Sequence, residues 1–179
     1  MDNNPRIAVV GASGAVGEVM LSILAERGCR EDHVTALASE RSAGQEVDLG
    51  NARLMIDDLA HFDFSSVDYA LFSAGGSVSE QYAPKAAAAG AVVIDNTSAF
   101  RYDDDIPLVV PEVNAHALDG IGTGAIIANP NCSTIQMVVA LAPVHRAAGI
   151  ARINVATYQS VSGAGRQGME ELAMQTAQR

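Results

Sequence analysis

Short apolar runs alternate with stretches of helical periodicity along most of the chain. Apolar runs of four or five residues are typical of strands that are covered on both faces in a parallel sheet. Such runs predict strands at 6–10, 34–38, 69–73, 91–95, 107–111 and 125–128. The apolar spacing of 16–24 and 79–89 predicts helices, and Gly28 and Gly90 follow them as glycine C-caps. Strands that alternate with helices predict an α/β fold with a doubly wound, Rossmann-like parallel sheet.

The pattern changes after a further predicted helix that begins near Cys132. Residues 153–158 alternate apolar and polar side chains, as in a strand with one face in water, and helical spacing returns from Met169 onward. We therefore interpret 1–131 as the Rossmann-like domain and 132–179 as the beginning of a second α/β domain. The last predicted helix reaches Arg179 without a capping residue, so we expect the second domain to continue beyond it.

Composition and charge argue against several classes of protein. Apolar residues make up 49% of the chain, which allows a packed core, and the net charge of −10 disfavours contact with nucleic-acid phosphates. The chain shows neither a membrane-span candidate of about 20 apolar residues nor the three regions of a secretory signal. Two cysteines without such a signal indicate free thiols in a reducing compartment. We expect a cytoplasmic protein that binds no nucleic acid, no membrane and no metal ion.

The first predicted strand runs into a glycine-rich turn, Gly11–Gly17, which is followed at once by a helix. A turn of this kind directs backbone N–H groups and the positive end of the helix towards a phosphate. The spacing is GxxGxxG, and the alternative is an ordinary strand–helix turn whose glycines serve close packing. Its place between the first strand and an amphipathic helix favours a dinucleotide site.

The residues after the second strand bear on which dinucleotide is bound. Arg41, followed by Ser42, suits the 2′-phosphate of NADP because a guanidinium offers paired donors. Glu40 could instead hold the ribose hydroxyls of NAD, and a solvated charged loop is the third possibility. We favour NADP.

Cys132 lies between an Asn-Pro-Asn turn and the start of a predicted helix. Helix N-termini favour the thiolate form of cysteine, and Ser133 and Thr134 suit the first helical turn. Most free cysteines are unreactive core residues, and Cys29 in its polar turn illustrates that alternative. The polar, helix-starting neighbours make Cys132 a candidate nucleophile.

Six stretches, in this order, resemble the aspartate-semialdehyde dehydrogenases of bacteria: Gly11–Gly17, Ser73–Gly76, Asn96–Arg101, Val110–Asn114, Asn129–Thr134 and Tyr158–Gly165. The resemblance covers essentially the whole chain, although known members are considerably longer. It implies reversible reductive dephosphorylation of L-aspartyl-4-phosphate to L-aspartate 4-semialdehyde, phosphate and NADP, on the route to lysine, methionine, threonine and diaminopimelate. It also implies that the first domain binds NADP and that the second serves catalysis and assembly into a homodimer or homotetramer.

The resemblance assigns roles to the matching residues. Cys132 matches the nucleophile that forms an acyl-enzyme, and Gln159 matches the residue that positions substrate beside it. Arg101 matches the phosphate-binding arginine, and Asn131 matches a substrate-binding asparagine. The matching cofactor positions are Gly11, Ser13, Gly14, Ala15, Val16, Arg41, Ser42, Ser162 and Gly163. By residue type alone, Arg101 could equally pair with a neighbouring aspartate at the surface, and Gln159 could face solvent.

Three residues that the resemblance implies have no counterpart in this chain: a general acid–base histidine, a carboxylate-binding arginine and a phosphate-site lysine. None of the four histidines lies in a matching motif, so we expect the catalytic one beyond Arg179 and the 179-residue chain alone to be inactive or nearly so. Two alternatives stay open. One is a related enzyme, such as an N-acetyl-glutamyl-phosphate reductase or a glyceraldehyde-phosphate dehydrogenase, and the other is a non-catalytic NADP-binding module.

Overall fold

Seven strands form one sheet in a computed structural model that describes residues 4–178, with the strand order β3-β4-β2-β1-β5-β6-β7. The strands are β1 (Ile7–Val10), β2 (Val34–Ala38), β3 (Glu46–Leu49), β4 (Ala52–Asp58), β5 (Tyr69–Phe72), β6 (Val92–Asp95) and β7 (Ile126–Ala128). All neighbouring pairs run parallel except β3 and β4, which are antiparallel. The predicted α/β class with a doubly wound, Rossmann-like sheet is confirmed, and the antiparallel pair of β3 and β4 departs from the fully parallel sheet that was predicted.

Within residues 4–178, five α-helices connect or follow these strands. They are α1 (Ala15–Glu26), α2 (Gly76–Ala88), α3 (Pro111–Asn114), α4 (Cys132–Ala148) and α5 (Gly165–Ala177). The backbone of Gly28 after α1 and of Gly90 after α2 has positive φ, as predicted for glycines that end helices. Within the described range, no helix combines the length and the apolar character needed to cross a bilayer.

The central strand β1 is buried on both faces, which explains its unbroken apolar sequence. Ala8 and Val10 pack with Ala83 of α2 on one face, and Val9 packs with Leu21 of α1 on the other. Alternate side chains of a strand point to opposite faces, so α1 and α2 cover opposite sides of the sheet. Burial of each large apolar side chain contributes roughly 1.5–3 kcal/mol.

The chain changes direction at β1, and this change creates a crevice. It first builds β2, β3 and β4 on one side of β1 and then crosses to β5 on the other side. Because α1 and α2 diverge to opposite faces at this point, the carboxyl ends of β1 and β5 border an open space. Ligands of open α/β sheets bind at such a switch point.

Two predicted strands are wrong. Residues 107–111 make only one bridge, between Leu108 and Ala128, because prolines at both ends lack an N–H donor and Pro111 instead begins α3. Residues 153–158 form no strand, and the whole stretch 151–160 is exposed. An alternating pattern becomes a strand only when a neighbour pairs with its backbone, and no pairing partner for this segment occurs within residues 4–178.

Candidate active site

Cys132 is the first residue of α4 and follows closely on the carboxyl end of β7. Asn131 caps the helix, since its Oδ1 accepts hydrogen bonds from the N–H groups of Ser133 (3.0 Å) and Thr134 (3.3 Å). The side chain of Cys132 is exposed, whereas the preceding Pro130 is buried and anchors the turn. The predicted position at a helix N-terminus is confirmed. The sulfur therefore lies at the end of α4 where the first backbone N–H groups of the helix are found.

Gln159 reaches this cysteine from a distant part of the chain. Its Nε2 lies 3.6 Å from the Sγ of Cys132 and donates to it. Gly163 makes room for this amide, because a Cβ at that position would lie 2.5 Å from the same nitrogen. Gly163 and Ser162 belong to a short 3-10 helix, Val161–Ala164, whose start is capped by the side chain of Ser160. The resemblance alone would not have shown this packing of Gly163 on Gln159.

Arg101 is held by the backbone of two loops rather than by a surface aspartate. Its Nε donates to the carbonyl oxygen of Asn129 at 3.0 Å, and its Nη2 donates to that of Asn96 at 3.1 Å. The two loops are also joined directly, because Asn129 Nδ2 donates to Asn96 Oδ1 at 2.6 Å. The guanidinium thus has a fixed place between the loop after β6 and the loop that leads to Cys132.

A buried carboxylate supports the loop that carries Arg101. Asp95, at the end of β6, is fully buried and accepts hydrogen bonds from Ser79 Oγ (2.7 Å), Thr97 Oγ1 (2.7 Å) and Thr97 N (3.2 Å). A carboxylate without water is stable only with such partners. The sequence analysis did not single out Asp95 or Ser79. The available signal was an aspartate at the end of an apolar strand, followed directly by Asn-Thr-Ser.

A cleft of about 540 Å³ opens at the switch point, and we call it the switch-point cleft. Its walls come from the glycine turn, from the loops that follow β2 and β4, and from the start of the loop after β5. The lining includes Gly11, Ser13, Gly14, Glu40, Arg41, Ser42, Asp58, His61, Ser73 and Ala74.

The glycine turn is built for close approach. Gly11 has φ of +93°, and a Cβ there would lie 2.9 Å from the backbone nitrogen of Ala74. A Cβ on Gly17 would lie 2.2 Å from the carbonyl oxygen of Gly11. Gly14, which precedes α1, provides no side-chain cap, so the first N–H groups of this helix are available to a ligand. These features fit the phosphates of a dinucleotide.

The structure places five of the nine predicted cofactor residues in this lining: Gly11, Ser13, Gly14, Arg41 and Ser42. Ala15 and Val16 lie in the first turn of α1 outside the lining, and Ser162 and Gly163 lie beside Gln159. Glu40 and Arg41 both line the cleft, so the acidic residue typical of NAD sites and the arginine typical of NADP sites are neighbours there. The cofactor roles of all nine residues stay predictions.

One wall of the cleft carries a histidine–aspartate pair that the sequence analysis did not assign to the site. The Nδ1 of His61 lies 2.9 Å from Asp58 Oδ2. The pKa of Asp58 is lowered by the hydrogen bond from the N–H of Ala60 and by the bond to His61. The carboxylate is therefore ionised at neutral pH and orients the imidazole.

Two models of known protein families match this chain. The family model described as semialdehyde dehydrogenase, NAD binding domain, matches residues 6–121, and the model described as semialdehyde dehydrogenase, dimerisation domain, matches residues 141–179. Aspartate-semialdehyde dehydrogenase of Legionella pneumophila is 58% identical over 175 residues, which are 98% of this chain and 50% of the relative. The corresponding protein of Bacillus subtilis is 52% identical over 176 residues, again 98% of this chain and 50% of the relative.

Solved structures give the same result. The crystal structure of aspartate semialdehyde dehydrogenase II from Vibrio cholerae, complexed with ASA, superposes with a TM-score of 0.90 at 55% identity. The match covers 98% of this chain and 52% of that one. The chain spans about half the length of the curated relatives it matches.

Proposed function

The chain belongs to the semialdehyde dehydrogenase family, and we propose that its protein interconverts L-aspartyl-4-phosphate and L-aspartate 4-semialdehyde with NADP and phosphate. The names of the similar proteins support this substrate, since those quoted above are aspartate-semialdehyde dehydrogenases. The reaction would serve the synthesis of lysine, methionine, threonine and diaminopimelate.

The observation that carries the proposal is the contact between Gln159 and an exposed cysteine at the start of a helix. As a thiolate, Sγ of Cys132 attacks the acyl carbon of the substrate, an S–C bond forms, and the bond from this carbon to the phosphate oxygen breaks. Phosphate leaves and a thioester remains on Cys132. Gln159 positions the sulfur and the acyl group through its side-chain amide. When bound, NADPH would supply a hydride to the thioester carbon; the S–C bond to Cys132 then breaks, the aldehyde leaves and the thiolate is restored.

Arg101 and Asn131 hold the substrate in this proposal. The end of the Arg101 guanidinium that faces away from the two carbonyl oxygens presents N–H donors to the departing phosphate. Asn131 uses its Oδ1 for the helix cap, which leaves its Nδ2 as the donor to substrate. A residue that both caps the helix of the nucleophile and contacts substrate would hold the nucleophile and the substrate in a fixed relative position.

The cofactor end of the proposed site is the switch-point cleft. The uncapped N-terminus of α1 and the close-packed glycine turn suit the pyrophosphate, and Arg41 with Ser42 suits the 2′-phosphate of NADP. Ser162 and Gly163 lie next to Gln159, so a role for them would be at the reacting end of the cofactor.

The proposal is tested by phosphate-dependent formation of NADPH from L-aspartate 4-semialdehyde. We expect the chain alone to show little turnover, because a missing general base costs roughly 10²- to 10⁴-fold in rate. The chain joined to the C-terminal part of the Legionella pneumophila relative should be active. The change Cys132→Ser should abolish this activity and the matched change Cys29→Ser should preserve it.

Two results would contradict the proposal. Activity of the joined protein with N-acetylglutamate semialdehyde, and none with aspartate semialdehyde, would assign the chain to the related reductases. Full activity of the Cys132→Ser protein would exclude an acyl-enzyme on this residue.

A further inference from the structure

We propose that His61 is a second, pH-dependent anchor for the 2′-phosphate of NADP in the switch-point cleft, together with Arg41. This inference rests on the proposed binding of NADP. It concerns a residue to which neither the resemblance nor a motif gives a role.

The sheet brings His61 and Arg41 to the same wall. Strands β2 and β4 are parallel neighbours, with Ala38 opposite Asp58 at their carboxyl ends. Neighbouring strands lie about 5 Å apart, so the loops that follow these two residues start side by side. Arg41 lies in one loop and His61 in the other, and both line the switch-point cleft.

The fold holds His61 in place and leaves its ring accessible. The preceding Leu59 is 6% exposed and anchors the short 3-10 helix Leu59–His61, whereas the side chain of His61 is 86% exposed. Asp58 caps this helix, since its Oδ1 accepts from the N–H of Ala60 at 3.0 Å. The other carboxylate oxygen of Asp58 pairs with the Nδ1 of His61, which therefore carries the proton. The orientation of the imidazole is thus set before any ligand binds.

The remaining nitrogen of His61, Nε2, then determines the response to an anion. In the neutral ring it carries a lone pair, which repels a phosphate oxygen. In the protonated ring it is an N–H donor with a positive charge, and hydrogen bonds from such donors to phosphate are among the strongest in proteins. Histidines change charge within the physiological range, so the contact should depend on pH.

The charges around His61 are mostly negative, so one additional positive charge there should affect the binding of a phosphate. The charged groups that line the spaces on either side of the imidazole are Glu40, Arg41, Asp57, Asp58 and Asp63. With a single cation among four carboxylates, a phosphate dianion meets a net negative wall. A protonated His61 adds a second cation to this wall, directly beside Asp58.

The test measures the binding of adenosine 2′,5′-bisphosphate to the 179-residue chain by calorimetry between pH 5.5 and pH 8.5. This probe carries the adenosine end of NADP and requires no catalysis. His61→Asn keeps a polar side chain next to Asp58 but cannot take up a proton. His116→Asn, at an exposed position outside the cleft, is the matched control. Protonation of the probe affects all proteins equally, so the ratio of affinities isolates His61.

We expect the unaltered chain to bind the probe about 3- to 10-fold more tightly than the His61→Asn chain at pH 5.5–6.0, which is the range for one exposed charged hydrogen bond. This ratio should approach one at pH 8.5. The His116→Asn chain should follow the unaltered chain throughout. With adenosine 5′-monophosphate, which lacks the 2′-phosphate, the ratio should stay near one at every pH.

The role of His61 and the proposed cofactor site would be refuted by different results. If the unaltered chain binds the bisphosphate and the ratio does not change with pH, His61 has no role as a phosphate anchor. An equal ratio for the monophosphate would likewise overturn the role, since the contact would then be to the nucleoside. If the unaltered chain binds neither the bisphosphate nor NADP, the proposed cofactor site itself is wrong.

Discussion

The carboxylate of Asp95 links the end of the sheet to the candidate active site. It is fully buried, and its partners Ser79 and Thr97 come from α2 and from the loop that carries Arg101. Both hydroxyl oxygens lie 2.7 Å from the carboxyl group, and together they satisfy a buried polar group that water does not reach. A single residue thus determines how the loop of Arg101 leaves the sheet, although we assign it no contact with substrate.

Loss of one partner of Asp95 should destabilise the fold. We predict that Ser79→Ala lowers the free energy of unfolding by about 1–3 kcal/mol, because the buried carboxylate oxygen loses its hydroxyl donor. Urea denaturation followed by circular dichroism measures the change. The matched control is Ser77→Ala in the same helix, where the side chain is exposed. Equal midpoints for the two variants would show that the Ser79–Asp95 bond contributes nothing.

The ion pair of Arg6 with Asp68 should contribute to stability in a pH-dependent way. The hydrogen bonds from Arg6 lower the pKa of Asp68 from 3.8 to about 2. A depressed pKa in the folded state stabilises at pH values above the unfolded pKa, and this contribution is lost as pH falls from about 4 to about 2. Both side chains are about half exposed, so we expect less than about 1 kcal/mol.

Urea denaturation at pH 7, 4 and 2.5 measures this effect. Asp68→Asn should lower the unfolding free energy most at pH 7, and its difference from the unaltered chain should shrink at pH 4 and further at pH 2.5. Asp119→Asn, at an exposed position, should have no such pH-dependent difference. A constant difference between Asp68→Asn and the unaltered chain at all three pH values would exclude the ion pair as its cause.

Among the elements, the glycine turn and α1 form one rigid unit at the switch point. The turn packs against the backbone of Ala74 through Gly11, and the helix packs against the turn through Gly17. The N-terminus of α1 has no side-chain cap, whereas α4 is capped by Asn131. The two helices therefore differ at their N-termini. The first N–H groups of α1 are available to a ligand, whereas those of Ser133 and Thr134 in α4 are bound by Asn131, which fixes the start of the helix and with it the position of Cys132.

Gly17→Ala tests this packing, because the expected change in stability is opposite to the usual effect of replacing a helical glycine with alanine. Alanine in place of a helical glycine ordinarily stabilises by about 1 kcal/mol. At Gly17 the added Cβ would lie 2.2 Å from the oxygen of Gly11, so we predict destabilisation by about 1–3 kcal/mol. Gly76→Ala is the control, since no atom lies within 4 Å of its added Cβ at the start of α2. Thermal or urea unfolding that ranks Gly17→Ala above the unaltered chain would contradict the proposed contact.

The elements also show what the sequence could predict. The strands β1, β2, β5, β6 and β7 follow from short, mainly apolar runs, which are typical of the inner strands of a parallel sheet. The strands β3 and β4 were not predicted, since they bury little more than Leu49, Leu54 and Ile56 and carry charged residues between them. Their signal was the two-residue turn Gly50-Asn51, which suits a hairpin.

The site was predictable only in part, because some of its features are local in the sequence and others join distant residues. Cys132 could be assigned to a helix start from its own neighbours, because caps and turns are local features. The contacts of Asp95 with Ser79 and of Gln159 with Cys132 join residues 16 and 27 positions apart. Such contacts depend on how the elements pack, and no periodicity in the sequence contains that information.

At the scale of the whole molecule, the sheet region and the C-terminal segment differ in how much of their surface is buried. The sheet and its two covering helices contain nearly all the fully buried residues, whereas α5 and residues 151–160 are largely exposed. An ion pair between Arg166 of α5 and Glu18 of α1 (2.5 Å) links α5 to the helix beside the sheet, and both of its side chains are about half exposed. Gln159 therefore approaches Cys132 from a segment with little packing of its own.

This difference predicts the order of proteolysis. Exposed backbone without strand or helix bonds is cut first, so trypsin should cleave after Arg152 well before it cleaves after Arg53, which lies in the paired strand β4. Mass spectrometry of a time course at low trypsin concentration measures the order. Arg152→Gln should remove the first cut without changing the later ones. Simultaneous cleavage after both arginines would show that the two parts are equally protected.

The anchoring of Arg101 has a consequence for the thermodynamics of anion binding. A free arginine side chain loses up to about 2 kcal/mol of rotamer freedom when a ligand immobilises it. The carbonyl oxygens of Asn96 and Asn129 already restrict Arg101 in the folded chain, so a phosphate that binds there meets a pre-organised receptor and little further entropy is lost. Lysine could not substitute for Arg101. A planar guanidinium can bind the protein along one edge and a ligand along another, and a single ammonium group has no such edges.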